Sequence, residues 1–306
     1  MRLRLGRPDI NAYGDRFDVP VAHGNLSITF LGVSTLLITD TTTSLLTDGF
    51  FSRPSLAKVA LGRLQVDDAR IDAALNHMDV DRADAVLPVH SHFDHAMDSA
   101  VVAERTGAQL VGGTSTANIG RGHGLAENRL TVVTPGVPTT YGDFTITHVE
   151  SSHCPPDRYP GTITEPVRTP ARAAAYKCGE AWSIIVAHQS GPSVLVQGSA
   201  GFVPGALAGH HADVVYLGVG QLGVQSEDYI ATFWNETVRA VGAKRVVLIH
   251  WDDFFRPLDR PLRALPFAGD DLDRTMRLLD DHARRDGVQL HFPTLWRRED
   301  PWRGLS

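Results

Sequence analysis

The stretch His90-Ser91-His92-Phe93-Asp94-His95 packs three imidazoles and a carboxyl into six residues, directly after the apolar run Ala85-Val86-Leu87-Pro88-Val89. A buried strand ending in so many polar side chains limits the folds open to the chain. The side chains cannot all point one way, so they divide naturally between two ligand sets. Imidazole nitrogen and carboxylate oxygen suit zinc, and also iron or manganese, and a catalytic site leaves coordination positions open. The fold must therefore carry further ligands to the end of this strand from distant segments.

Two other strand ends supply them. The run Thr147-His148-Val149-Glu150-Ser151-Ser152-His153 ends at His153, and Val246-Val247-Leu248-Ile249-His250 ends at His250. His153 is preferred to His148 because it lies at the strand end, and odd and even positions face opposite sides. His23, His77, His123, His188, His282 and His291 read as ordinary core or surface residues.

Around these ends, residues 26–51 read as an antiparallel meander of three short strands. Helices are expected over 67–78, 97–107, 114–122, 226–242 and 269–287, strands over 108–113, 129–133, 136–141, 143–152, 212–219 and 288–292, and a hairpin over 182–198 turning at Gln189-Ser190-Gly191-Pro192. Strand meanders in each half followed by strand-helix alternation suggest two packed sheets with helices outside, in a single domain over 1–306. Residues 154–176 break the pattern with five prolines and no periodicity. Irregular segments of that length are often lids or binding loops.

Composition removes several alternatives. The net charge of −6 comes with no block of like charge, so nucleic acid is an unlikely main partner. Only Cys154 and Cys178 occur, which argues against a disulfide framework or a cysteine-zinc site and leaves a single disulfide open. Without an apolar leader core or an apolar run of about 18 residues, a cytoplasmic location is expected. Gly218-Val219-Gly220-Gln221-Leu222-Gly223 is out of register for a phosphate cradle.

The chain resembles the metallo-β-lactamase superfamily of metal-dependent hydrolases. The likeness rests on the opening meander with Leu45-Leu46-Thr47-Asp48, the His90–His95 motif, the mid-chain His153, Val194-Leu195-Val196-Gln197-Gly198-Ser199 and Val247-Leu248-Ile249-His250. Within the superfamily it is most similar to the branch holding ascorbate-6-phosphate lactonase-like and N-acylphosphatidylethanolamine phospholipase D-like proteins. The resemblance implies an α+β fold, a four-layer αβ/βα sandwich of two mixed sheets with outer helices. It also implies that His90, His92 and His153 hold a first metal and that Asp94, His95 and His250 hold a second, with Zn2+ in one or both sites and Mn2+ or Fe2+ as substitutes. Asp48 is placed behind the histidines as a hydrogen-bonding support.

The pattern departs from the family at Ser199, where relatives usually carry a bridging aspartate. A neutral hydroxyl offsets none of the repulsion between two dications about 3.5–4 Å apart. Three arrangements follow: one occupied metal, two metals bridged by hydroxide or substrate, or an inward turn of Asp213, Asp252 or Asp253. The second is favoured, with Ser199 hydrogen-bonding the hydroxide. The expected activity is attack of a metal-bound hydroxide on an ester, lactone or phosphodiester, with Asp94 and Ser199 as catalytic residues. A weakly active metalloprotein that binds or senses a small ligand is the alternative. Arg158, Arg168, Arg172 and Lys177 bias the irregular segment toward a small anionic substrate, and Trp251 is expected to line the pocket. A thiolate at Cys154 is considered as a further ligand or redox group.

Overall fold

The computed structural model describes residues 4–305. The first sheet is built from β1 (Ser27–Phe30), β2 (Leu36–Thr39), β3 (Ser44–Thr47), β4 (Ala85–Leu87), β5 (Gln109–Gly112) and β6 (Leu130–Val132). The second contains β7 (Thr139–Tyr141), β8 (Phe144–Ser151), β9 (Ala181–His188), β10 (Ser193–Gln197), β11 (Val214–Gly218), β12 (Arg245–Ile249) and β13 (Gln289–His291). A last short strand, β14 (Arg298–Glu299), returns to pair with β1. The orders are β14-β1-β2-β3-β4-β5-β6 and β13-β12-β11-β10-β9-β8-β7. Both sheets are mixed, with antiparallel meanders giving way to parallel strands.

The period-2 alternation of each strand decides the layers. Leu45, Ala85, Leu87, Val194, Val196, Val214, Tyr216, Val247 and Ile249 meet in one buried cluster between the sheets. Their neighbours Leu46, Val86 and Leu110 instead pack on helices that include α2 (Asp68–His77), which follows the short α1 (Leu56–Leu61). The same layer holds α3 (Phe93–Ala96), α4 (Ser99–Thr106) and α5 (Thr114–His123). Leu195, Val215, Leu217, Val246 and Leu248 pack on α6 (Glu227–Trp234) and α7 (Leu272–Asp286). The result is the expected four-layer αβ/βα sandwich.

Caps fix the helix limits. Asp67 and Asp271 accept from backbone N–H groups of the first turns of α2 and α7, and Gly107 and Gly287 close α4 and α7 in the left-handed region, at φ 75° and 66°. Asp98, expected inside the first turn of α4, is its N-cap residue and accepts from Phe51 N, Ser52 N and Ser52 Oγ. The apolar pattern does not announce α1, because none of its residues is buried.

The proline-rich segment after β8 holds only one short 3-10 turn, Ala173–Ala175, and one bridge, Leu64 with Ala171. It is nevertheless pinned. Asn118 Nδ2 donates to Ile163 O at 2.7 Å, Ile163 N donates to Ser115 Oγ at 3.1 Å, and Ile163, Ala173 and Tyr176 join the helix-side core. Both cysteines are free and buried, so the open disulfide is not formed.

Candidate metal centre

β3 and β4 run parallel in one sheet, and β8, β10, β11 and β12 share a direction in the other. Their carboxyl ends carry Asp48, His90, His153, Ser199 and His250 to one rim, where open α/β sheets place their ligands. His92 precedes α3 as its N-cap residue, and that helix's first turn supplies Asp94 and His95.

Two donor trios form there. One nitrogen each from His90, His92 and His153 lies within 4.8 Å of the others, and so do ligand atoms of Asp94, His95 and His250. His90 Nε2 is 3.1 Å from His92 Nδ1, and the His153 ring centroid is 5.0 Å from that of His90 and 4.6 Å from that of His92. In the second trio, Asp94 Oδ2 is 3.5 Å from His250 Nε2 and 3.8 Å from His95 Nε2.

The outer nitrogens of His153, His92 and His95 have partners that leave the inner ones available, whereas His90 Nδ1 and His250 Nδ1 are buried without a hydrogen-bond partner among the described residues. His153 Nδ1 donates to Cys154 O at 2.6 Å, His92 Nε2 lies 3.2 Å from Asp157 Oδ1, and His95 Nδ1 is 2.7 Å from Asp48 Oδ2. His95 Nε2 is then a fully buried nitrogen with no hydrogen-bond partner among the described residues. Asp48 is itself anchored, because Val89 N donates to its Oδ1 at 2.9 Å. That is the support the sequence assigned to it.

Burial, with the surrounding imidazoles, holds His90 well below the ordinary imidazole range. Burial also lowers His92 and, together with His92, holds His153 down to about 4. The first trio is therefore neutral, with its lone pairs available. Burial opposes charge on Asp94, but His95 and His250 outweigh it and its carboxyl ionises far below the usual range. For His95 burial is outweighed by Asp48 and Asp94, which raise it. Neutral imidazoles, one carboxylate and an orphaned buried nitrogen form a donor chemistry that fits a divalent transition metal.

Ser199 lines the same cavity and its Oγ accepts from Cys154 N at 3.0 Å. None of the three acids considered as its substitute joins a donor trio. Asp213 accepts from Ser193 N and Oγ at the opposite end of β11, Asp252 pairs with the buried Arg53, and Asp253 is held by Arg7 and Arg263. The Cys154 thiol is pushed up to about 12 by burial and takes a contact from Gln225 Nε2, so it is neither thiolate nor a member of a trio. His148 sits between the sheets against Trp182, away from both trios. Trp251, expected to line the pocket, instead packs with Phe17 and Phe292 in the core, and Asp253, Phe254 and Phe255 beyond it line the cavity.

The cavity above the trios measures about 610 Å³. Leu56, Val59, Phe93, Phe254, Phe255 and Leu265 give it an apolar wall, while Arg7, Arg158 and Arg263 add cationic groups. Of the four basic residues singled out in the proline-rich segment, only Arg158 lines it. Arg7, Arg263 and Asp157 escaped the sequence reading, since each acts through a contact that no local pattern marks.

The two sheets and the rim cluster define the metallo-β-lactamase type of fold. A family described as the beta-lactamase superfamily domain matches residues 27–250, from the first strand to the last histidine of the second trio, and the chain belongs to that superfamily. Among solved structures, it is similar to a possible metal-dependent hydrolase from Veillonella parvula at 14% identity and TM-score 0.57, covering 90% of this chain and 99% of that one. It is also similar to Igni18, a metallo hydrolase from Ignicoccus hospitalis, at 14% identity and TM-score 0.52, covering 89% and 96%. CmlA, a diiron β-hydroxylase from Streptomyces venezuelae, aligns at 13% identity and TM-score 0.53 over 90% of this chain and 54% of its own. The comparison with curated proteins gives no match. Among the described residues no helix is long and apolar enough to cross a membrane.

Proposed function

We propose that the chain is a metal-dependent hydrolase of a small ester, lactone or phosphodiester carrying an anionic group, working as one domain. The observation that carries the reading is the convergence of one three-imidazole trio and one imidazole–carboxylate trio on the floor of one cavity. His90, His92 and His153 would hold one ion and Asp94, His95 and His250 a second, with Zn2+ the best match and Mn2+ or Fe2+ as alternatives. Ions held there would supply Lewis acidity, lowering the pKa of a bound water toward about 7 and polarising a carbonyl or phosphoryl oxygen.

The chain's own residues do the rest. Asp94 has a second carboxylate oxygen with which to orient water and hold its proton. Ser199 Oγ already accepts from Cys154 N, so its own hydrogen is left to donate into the cavity. Phe254 and Phe255 keep bulk water from the apolar wall, and Arg158 supplies charge to hold an anionic substituent. The ascorbate-6-phosphate lactonase-like and N-acylphosphatidylethanolamine phospholipase D-like branch is the nearest reading within the superfamily, supported by the opening meander and by the segments ending at Ser199 and His250.

A panel of lactones, phosphodiesters and anionic esters tests the reading. Turnover should vanish when the protein is stripped with a chelator and return with Zn2+ or Mn2+. Turnover that is indifferent to chelation would contradict it, as would a fully metal-loaded protein that hydrolyses none of the three classes.

A further inference from the structure

We infer that Asp157, in the proline-rich segment, is a positioning residue that fixes the orientation and tautomer of His92, so that Nδ1 presents its lone pair to the space shared with His90 and His153. The inference rests on the metal reading above and extends it to a residue outside both donor trios.

His92 has two ring nitrogens with two different tasks. Nδ1 lies 3.1 Å from His90 Nε2, inside the first trio. Nε2 points away, 3.2 Å from Asp157 Oδ1 and 3.4 Å from Tyr159 O. An N–H on Nε2 donates to Tyr159 O, with the Asp157 carboxylate beside it as an ionic neighbour, which leaves Nδ1 unprotonated. A carboxylate beside the outer N–H of an imidazole, and holding the turn whose Tyr159 carbonyl accepts it, also makes the inner nitrogen a stronger donor.

The carboxylate is held for that purpose. Tyr159 N donates to Asp157 Oδ1 at 2.9 Å, which closes a tight turn around the side chain. Cys178 N in turn holds Tyr159 O at 2.8 Å, and Ser91 N donates to Cys178 O at 2.8 Å, tying the turn back to the residue before His92. Pro156, Arg158 and Tyr159 line the cavity, so the turn that faces the substrate also steadies a ligand of the metal. Asp48 does the same for His95 from a fully buried position, whereas the Asp157 side chain is 23% exposed. Replacing Asp157 therefore leaves the core intact.

The test is metal affinity, read by competition of Zn2+ between the protein and a chromophoric chelator, together with the visible spectrum of the Co2+-loaded protein. Asp157→Ala should weaken the tighter ion by about 10–100-fold and shift the Co2+ bands. Asp157→Asn, which keeps an acceptor without the charge, should fall between, and Asp157→Glu should recover most of the loss. The melting temperature of the metal-free chain should be unchanged in all three. Wild-type affinity and an unshifted spectrum in Asp157→Ala would overturn the inference while leaving the hydrolase reading standing. A third equivalent of metal, lost in both Asp157→Ala and Cys178→Ala, would overturn it differently, by making His92, Asp157 and Cys178 a site of their own. A wild-type protein that binds no ion at His90, His92 and His153 would end both readings.

Discussion

β8 and the turn that follows it carry two histidines into opposite surroundings. His148 lies in the core between the sheets at 1% exposure, edge-on to Trp182, with no hydrogen-bond partner for its Nε2 among the described residues. His153 lies past the strand end at the rim, with Nδ1 bound to Cys154 O and its ring against those of His90 and His92. Burial holds both down to about 4. A depressed imidazole therefore does not mark a site by itself. Convergence does: only at the rim do several strands end together, so only there does one neutral nitrogen meet others.

The sharpest test of that contrast exchanges the two roles. His153→Ala should weaken the first ion by more than the roughly 100-fold that loss of an outer partner costs, with little change in the melting temperature of the metal-free chain. His148→Ala should leave metal content and turnover unchanged and destabilise the fold by about 2–4 kcal/mol through the cavity it opens. Metal loss in His148→Ala would break the comparison.

A pH series sharpens it further. With a folded value of about 4 against an ordinary value near 6.5, His148 takes up its proton later in the folded chain than in the unfolded one. Its contribution is complete above the ordinary imidazole range and is lost as pH falls from 6.5 toward 4, to a total of about 3 kcal/mol. Denaturant midpoints of the metal-free chain should fall less steeply over that window in His148→Leu than in the wild type. Parallel curves would show that the core imidazole is not what acid attacks.

The smallest expected effect lies at Ser199. A carboxylate there should tighten the second ion by about tenfold, because it supplies the charge that Asp213, Asp252 and Asp253 do not. Unchanged affinity for the second ion in Ser199→Asp would mean that the hydroxyl is not close enough to share it.

Much of this was legible in the sequence for a physical reason. Strand alternation, the helical spacing that ends at Gly107, and the crowding of His90 to His95 are local patterns, and local patterns survive without knowledge of the fold. Asp48 could be placed behind the histidines because it too ends a strand, β3, which pairs with β4. What stayed hidden acts through single long-range contacts. Arg7 and Arg263 reach one carboxylate of Asp253, and Asp157 reaches His92 from a segment without periodicity. Trp251 was misplaced because adjacency to His250 was read as adjacency to the cavity. His250 has φ 57°, a left-handed turn after the strand, and the indole beyond it goes to the core.

The central claim is that cations occupy the space these donors enclose. Crystals grown with Zn2+ and measured on both sides of its absorption edge test it directly. The account predicts an anomalous peak about 2.0–2.1 Å from nitrogens of His90, His92 and His153, with a second, weaker peak beside Asp94, His95 and His250. The absence of density between His90, His92 and His153, with their rings hydrogen-bonded only to one another, would contradict it.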